Sequence, residues 1–329
     1  MIRTALWALG WALLLGGLLA ATALLVLRQV TVLHTWHEYL IAAASFIPML
    51  WVPLLLAALG LVLRLRGRWR LLAATLTLAV TAVTAWPMLP APERSDSPQL
   101  AAEGSLTVLS SNVEYGGADV DVLTRLAGPE VDAIAIQEMT PDFEAFLAEA
   151  GLFERFPHRV GTAREDAGGS MLLSRTPLEL IDRTEGTAFD NLLATTTLDG
   201  TLWHLAVVHT APPQVGAEAW TADAAAVGAM VAPYTHGNLL LVGDFNAIAQ
   251  HHTMRQLTAD GSLRSLAAYG RGRGEGLWEP TWPVGHRIPP FARIDHALAG
   301  REVSGPRPVY ETVPGTDHRA LMVTVSPSA

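Results

Sequence analysis

Residues 5–27 carry no charged side chain, and neither do residues 39–63 or 71–89. Each run approaches the roughly 20 apolar residues that a helix needs to cross the hydrocarbon layer of a bilayer. The first ninety residues are therefore expected to form a membrane region of three helices, at about 5–27, 39–63 and 71–89. A cleaved signal sequence would have a shorter apolar core followed by a polar cleavage region, so the first run reads as a retained span. The third run is the shortest and richest in Thr, and a buried globular helix is its competing reading. Orientation follows from the basic residues. Arg3 precedes the first run, and Arg64, Arg66, Arg68 and Arg70 crowd the link between the second and third. The 28–38 link carries only Arg28, two His and Glu38. The positive-inside rule puts the N-terminus and the Arg-rich link in the cytoplasm. Three crossings then place everything after residue 90 outside, joined by a Pro-containing linker over residues 91–104.

The remainder is of a different character. All 22 basic residues are Arg, and six of them lie before residue 90 with one of the 31 acids, leaving the rest strongly acidic. There is no Cys, which excludes disulfides, zinc-thiolate centres and Cys nucleophiles. From Ser105 onward short β-rich runs alternate with polar breaks. Residues 106–110, 131–136, 169–173, 194–198, 203–208, 238–242, 294–297 and 320–325 read as strands. Residues 119–126, 141–150 and 217–234 read as helices, with apolar positions at helical spacing. Such a mixture implies a layered α/β or α+β domain over residues 105–329. Residues 270–276, with four Gly and two Arg, read as a surface loop.

Polar residues recur where the strands end, which is where functional loops concentrate. Asn112 and Glu114 follow the first strand, and Gln137 and Glu138 the second. His209 ends the 203–208 run. Leu240-Leu241-Val242-Gly243 leads into Asp244-Phe245-Asn246, whose polar side chains, two apart on an extended segment, would face one way. Asp295 lies in Arg293-Ile294-Asp295-His296, and Asp317 and His318 in Gly315-Thr316-Asp317-His318-Arg319. An anionic oxygen and a carboxamide at one strand end suit a hard divalent cation and a phosphate oxygen.

In order, Ser111-Asn112-Val113-Glu114, Gln137-Glu138, Ser174-Arg175-Thr176-Pro177, Val208-His209-Thr210-Ala211-Pro212, Gly243-Asp244-Phe245-Asn246, Ile294-Asp295-His296 and Thr316-Asp317-His318-Arg319 resemble the endonuclease/exonuclease/phosphatase superfamily. The resemblance spans the whole soluble region. It implies a DNase I-like four-layered sandwich that hydrolyses a phosphoester or phosphoanhydride with Mg²⁺, Mn²⁺ being the alternative ion. It also implies metal ligation by Glu138 with Asn112 and Asp317. Asp244 and Asn246 would orient water and phosphate, and His318 would face the phosphate with Asp295 holding its tautomer. His209 would bind phosphate or donate a proton. Glu114, Gln137 and Arg175 would support these from behind. His251 and His252 read as a surface pair at a helix start, and His296 points away from Asp295 by strand alternation. Trp278 and Trp282, in a Pro-rich loop, read equally as core caps or as contacts to a lipid.

The superfamily acts on nucleic acids, phosphoinositides, sphingomyelin and lipid pyrophosphates, and fold does not decide among them. An acidic domain without Lys is poorly suited to neutralising a nucleic-acid backbone. Three spans followed by an exterior domain of this fold resemble the VanJ-like group of membrane-anchored teicoplanin-resistance proteins. That resemblance implies a phosphohydrolase in a multi-pass membrane protein, acting on a lipid phosphate or an undecaprenyl pyrophosphate-like carrier. An extracytoplasmic nuclease or sphingomyelinase-like phosphodiesterase is the alternative.

Overall fold

The computed structural model describes residues 2–65, 67–85, 104–267 and 279–328. The 91–103 part of the linker, the 270–276 loop and Trp278 lie outside the described residues. Four helices come first: α1 (Ile2–Gln29), α2 (Glu38–Ala44), α3 (Trp51–Arg64) and α4 (Arg68–Ala85). Two stretches, Thr4–Gln29 and Ile47–Arg64, are long and apolar enough to cross a membrane, and α4 is not among them. It opens on Arg68-Trp69-Arg70 and is Thr-rich beyond them. The second apolar run also differs from expectation. It is not one helix from residue 39, because Pro48, which has no N–H to give, falls in a 3-10 turn (Ile47–Met49) that separates α2 from α3.

Glycines let α1 and α3 pack backbone to backbone. A Cβ on Gly17 would strike Pro53 and Ala57 on α3, and one on Gly60 would strike Gly10 and Leu14 on α1. Small residues at the crossing are how helices approach closely in lipid. The pairing of Gly10 with Arg64 and of Gly17 with Pro53 makes the two helices antiparallel. Arg64 lies over the Trp11 ring at 3.6 Å. The start of α1 and the Arg-rich turn thus share one end of the bundle, and the 30–46 link lies at the other.

The soluble region is built on two sheets. One contains β1 (Leu106–Asn112), β2 (Ala133–Gln137), β3 (His158–Thr162), β4 (Ser170–Ser174), β11 (Val303–Ser304), β12 (Val309–Thr312) and β13 (Arg319–Pro327). The other runs in the order β5 (Leu178–Arg183), β6 (Leu192–Leu198), β7 (Thr201–His209), β8 (Leu239–Asp244), β10 (Asp295–Ala299) and β9 (Arg264–Ser265). Alternate residues face opposite ways. Leu106, Val108, Ala133, Ala135 and Leu172 meet Leu205, Val207, Leu240 and Val242 between the sheets. Leu109, Ile134, Ile136, Met171 and Leu173 face α5 (Val120–Leu126), α6 (Pro141–Glu149) and α7 (Leu152–Arg155) on the outside. Ala206, Val208, Leu239 and Leu241 face α8 (Ala217–Val231) and α9 (His252–Leu257). Helix, sheet, sheet and helix form the four layers of a DNase I-like sandwich.

Ile41 of α2 is fully buried in that last layer, beside Trp220 and Met254. The link between the first two apolar helices is therefore packed on the soluble region. His251 hydrogen-bonds the Ile41 carbonyl through Nε2 (3.0 Å) and accepts from Ile248 N at Nδ1 (3.0 Å). His252 N donates to His34 Nδ1 (3.2 Å), and His34 Nε2 meets Leu27 O (3.1 Å). The pair does begin a helix, but His251 is buried rather than on the surface, because the link covers it.

Candidate active site

Strand register assembles the site. His209, Asp244 and Asp295 occupy one row across β7, β8 and β10. Asn112 and Gln137 occupy one row across β1 and β2 in the other sheet. Both rows lie at the same edge of the sandwich, and Asn112 joins them. Its Nδ2 donates to Glu138 Oε1 (3.0 Å) and to Asp244 Oδ2 (3.2 Å), while its Oδ1 accepts from Glu114 N (3.0 Å).

Backbone strain aims several of these groups. Among the described residues five non-glycine positions have positive φ, and four of them, Glu114, Tyr115, Glu138 and Asn246, are at this site. Such conformations persist where the surroundings impose them, and they cluster at functional sites. Asp244 and Asn246 do converge, but through a turn rather than by strand alternation. β8 ends at Asp244, whose Oδ1 accepts Asn246 N (2.8 Å) and whose Oδ2 accepts Asn246 Nδ2 (3.3 Å). Gly243, the strand residue before Asp244, has φ 141°, and a Cβ there would strike the Val208 carbonyl.

Two histidines of opposite character face the carboxylates. His318 Nδ1 is 3.1 Å from Asp295 Oδ2, and its Nε2 lies 3.5 Å from Asp317 and 3.7 Å from Asp244. Burial alone would lower its pKa, but Asp295, Asp244 and Asp317 outweigh burial and hold it at about 10. His318 is thus an imidazolium at neutral pH. His209 is fully buried, and burial, with the nearby His318 charge, pushes it down to about 3. It is a neutral imidazole whose Nε2 lies 3.9 Å from both Glu138 and Asp244. Phe189 stacks on its ring at 4.3 Å, and Asn191 Oδ1 accepts its backbone N–H (2.8 Å).

Burial raises Asp244 to about 7, with Asp295 and Glu138 adding to the shift and His318 opposing it. Burial also raises Glu138 against its hydrogen bonds from Asn112 and Tyr115 N. Glu138, Asp244, Asp295 and Asp317 therefore converge on one imidazolium, an excess of negative charge that raises the cost of ionising Asp244. A divalent cation would relieve it. The donors are oxygens, which suits a hard ion, and Asp244, Asp295 and His318 lie within ligating distance of one another, as do Glu114, His286 and Asp317.

Of the residues singled out from sequence, Asn112, Glu138, His209, Asp244, Asn246, Asp295, Asp317 and His318 come together, with Glu114 at the rim. Gln137 is buried behind them against Ser110. Arg175 is a correction. It follows β4, whose Ser174 pairs with the far end of β2, and its guanidinium binds the carbonyls of Val131 (2.6 Å) and Gly128 (2.9 Å) over the Phe156 ring. It staples loops at the edge opposite the site. His296 points away, as expected, onto Ala247 O (2.8 Å). Sequence reasoning missed Phe189, Asn191 and Thr316, whose hydroxyl bridges Asn112 O (2.9 Å) and His318 N (3.2 Å). It also missed the bond from Trp282 Nε1 to Asp317 Oδ2 (2.7 Å).

Residues 109–318 match the model of the Endonuclease/Exonuclease/phosphatase family. The chain belongs to that family, whose members hydrolyse phosphoesters. Pairwise comparison with curated proteins finds no match. Solved structures share the fold. A family member from Bacteroides vulgatus superposes with TM-score 0.54 at 15% identity, over 68% of this chain and 99% of that one. A Bacteroides thetaiotaomicron mannosyl-6-phosphatase gives 0.50 at 16%, over 67% and 99%. A humanized D. rerio TDP2 gives 0.50 at 14%, over 68% and 99%.

Proposed function

We propose that this protein is a membrane-anchored, Mg²⁺-dependent phosphohydrolase that cleaves a lipid phosphate or pyrophosphate, of the undecaprenyl pyrophosphate type, at the outer face of the membrane. The packing of the 30–46 link on the soluble region carries the reading. That link leads directly into the apolar stretch that starts at Ile47, so the catalytic sandwich is held against the membrane boundary. The same contact bears on topology. Link and sandwich lie on one side, so if α3 crosses, α4 must cross back. α4 follows α3 through a tight turn at Gly67. The proposed topology thus has three crossings, with the N-terminus and the Arg-rich turn cytoplasmic and the sandwich outside by the positive-inside rule. Residues 1–90 are then the membrane region and 105–329 the catalytic domain. The acidic, Lys-free composition favours lipid over nucleic acid.

Glu138, with Asp317, would hold the ion, which would supply charge neutralisation to a phosphoryl oxygen and to the leaving oxygen. Asn112, expected from sequence as a ligand, turns its Nδ2 to Glu138 and its Oδ1 to Glu114 N and so orients the Glu138 carboxylate instead. The residues do the rest. Asp244, fixed by Asn246 and Asn112, is placed to orient the attacking water and take its proton, a role matched to a carboxyl raised toward neutrality. His318, held cationic by Asp295, turns Nε2–H into the cleft to stabilise charge on the transferring phosphoryl group. Neutral His209 can donate a hydrogen bond to a phosphate oxygen without adding charge.

The test is metal-dependent phosphate release from a lipid pyrophosphate by the full-length protein, absent in Glu138→Ala, Asp244→Ala and His318→Ala. Near-wild-type rates in any of the three would remove the role assigned to that residue. Metal-dependent DNA nicking with no action on lipid would replace the lipid reading by a nuclease.

A further inference from the structure

A chain of aromatic contacts runs from the end of the 30–46 link to Asp317. Phe46 immediately precedes the apolar stretch and stacks face to face on Phe291, with ring centroids 5.1 Å apart and planes 5° apart. Phe291 meets the Trp282 ring edge-on at 5.6 Å. Trp282 bonds Asp317, and the next turn returns to the same residue, Val284 N donating to Asp317 O (2.7 Å). Trp282 pairs with Ala292, so residues 282–292 form a hairpin whose base touches the site through Trp282 and the 30–46 link through Phe291.

Apolar side chains of the link and the hairpin remain open to solvent. Phe46 is 44% exposed and Ile288, near the hairpin tip, is 62% exposed. Exposed large apolar side chains beside a site are candidates for a binding surface. The same link exposes Trp36 (69%) and Tyr39 (74%), residue types that collect at the bilayer interface. An apolar chain rising from the outer leaflet beside α3 therefore meets Phe46, Phe291 and Ile288 before its head group reaches Asp317 and His318. A soluble phosphoester would meet only the polar cleft.

We propose that Phe46, Phe291 and Ile288 form the wall that receives the hydrocarbon chain of the substrate, and so select chain-bearing phosphates over soluble ones. The inference rests on the lipid reading above and names the residues that would enforce it. His286 and Arg287 precede Ile288 on the same exposed turn, and His286 lies within ligating distance of Asp317.

The experiment compares kcat/KM of the detergent-solubilised full-length protein on undecaprenyl pyrophosphate and on dimethylallyl pyrophosphate, which has the same head group and almost no chain. Variants are Phe46→Ala, Phe291→Ala, Ile288→Ser and the conservative Phe291→Leu. Loss of apolar contact from one large side chain should lower kcat/KM on the long substrate at least about ten-fold. On the short one the change should stay within about two-fold, and Phe291→Leu should recover most of the loss. Equal losses on both substrates would make the wall merely structural and overturn the proposal, as would no loss on either. Wild-type protein that cleaves the short substrate as efficiently as the long one also overturns it. Wild-type protein inert on both pyrophosphates and on undecaprenyl phosphate but active on a soluble phosphoester refutes the lipid reading itself, and the wall with it.

Discussion

Replacing Asp295 by Asn isolates the electrostatic part of the mechanism. The two side chains are nearly isosteric, so the row formed by His209, Asp244 and position 295 keeps its shape while one carboxylate is removed 3.1 Å from His318 Nδ1. At an effective dielectric of about 20, a charge pair at that separation is worth roughly 5 kcal/mol. Asp317 at 3.5 Å and Asp244 at 3.7 Å remain, and burial, which opposes the charge, is unchanged. A net loss of roughly 3–4 kcal/mol would bring His318 from about 10 down to near 7. The sign is definite. A raised imidazole is charged below its folded pKa, so the cation in the variant is lost as pH rises through neutrality rather than near 10. The alkaline limb of kcat/KM should move down by two or more pH units, and kcat should fall by roughly 10²–10⁴. Circular dichroism and the pH profile of the purified full-length protein read both effects. An Asp295→Asn protein that is folded, active and unchanged in its alkaline limb would refute the pairing as the source of the His318 charge.

Other consequences follow from particular contacts. Gly243→Ala would drive a Cβ into the Val208 backbone and add left-handed strain, so stability should drop by roughly 3 kcal/mol or more with activity lost, as read by thermal unfolding. Trp282→Phe keeps the ring contact to Phe291 but removes the N–H from Asp317. The metal concentration for half-maximal activity should rise about ten-fold with little change in Tm, and an unchanged requirement would show that the bond does not tune the site. Gly60→Leu should separate α1 from α3 and lower the detergent-phase melting temperature, whereas the same change at Gly16, which touches nothing, should not. Burial pushes His251 down to about 3 and His34 to about 4. Their neutral forms are therefore favoured by folding. The stability is present above pH 6.5 and is lost as pH falls below it, by a few kcal/mol by pH 4. His251→Gln should flatten that slope in pH-dependent unfolding.

The site was readable because apolar runs meet Asn, Glu, His or Asp abruptly, where β1, β2, β7 and β8 end and where β10 and β13 begin. Buried strands with such ends announce themselves; edge strands do not. β3, β5 and β12 escaped notice because β5 and β12 are largely exposed and β3 only half-buried, so no apolar periodicity marks them. The rows joining His209 to Asp244 and Asp295 are matters of register, which a single strand does not encode. Asn191 and Thr316 act through backbone bonds and look like ordinary loop residues. Arg175, expected to support the site from behind, misled because sequence does not show that β4 runs antiparallel to β2 and so ends away from the site. The second apolar run misled in its length, since composition does not show that Pro48 closes a 3-10 turn and releases residues 39–46 to cover His251.

The most direct measurement is phosphate release from undecaprenyl pyrophosphate by the detergent-purified full-length protein. It would be run with and without Mg²⁺, beside Asp244→Ala and a parallel plasmid-nicking assay. Metal-dependent release that disappears in the variant, with intact plasmid, is the expected result. Nicking without release from lipid would contradict the account.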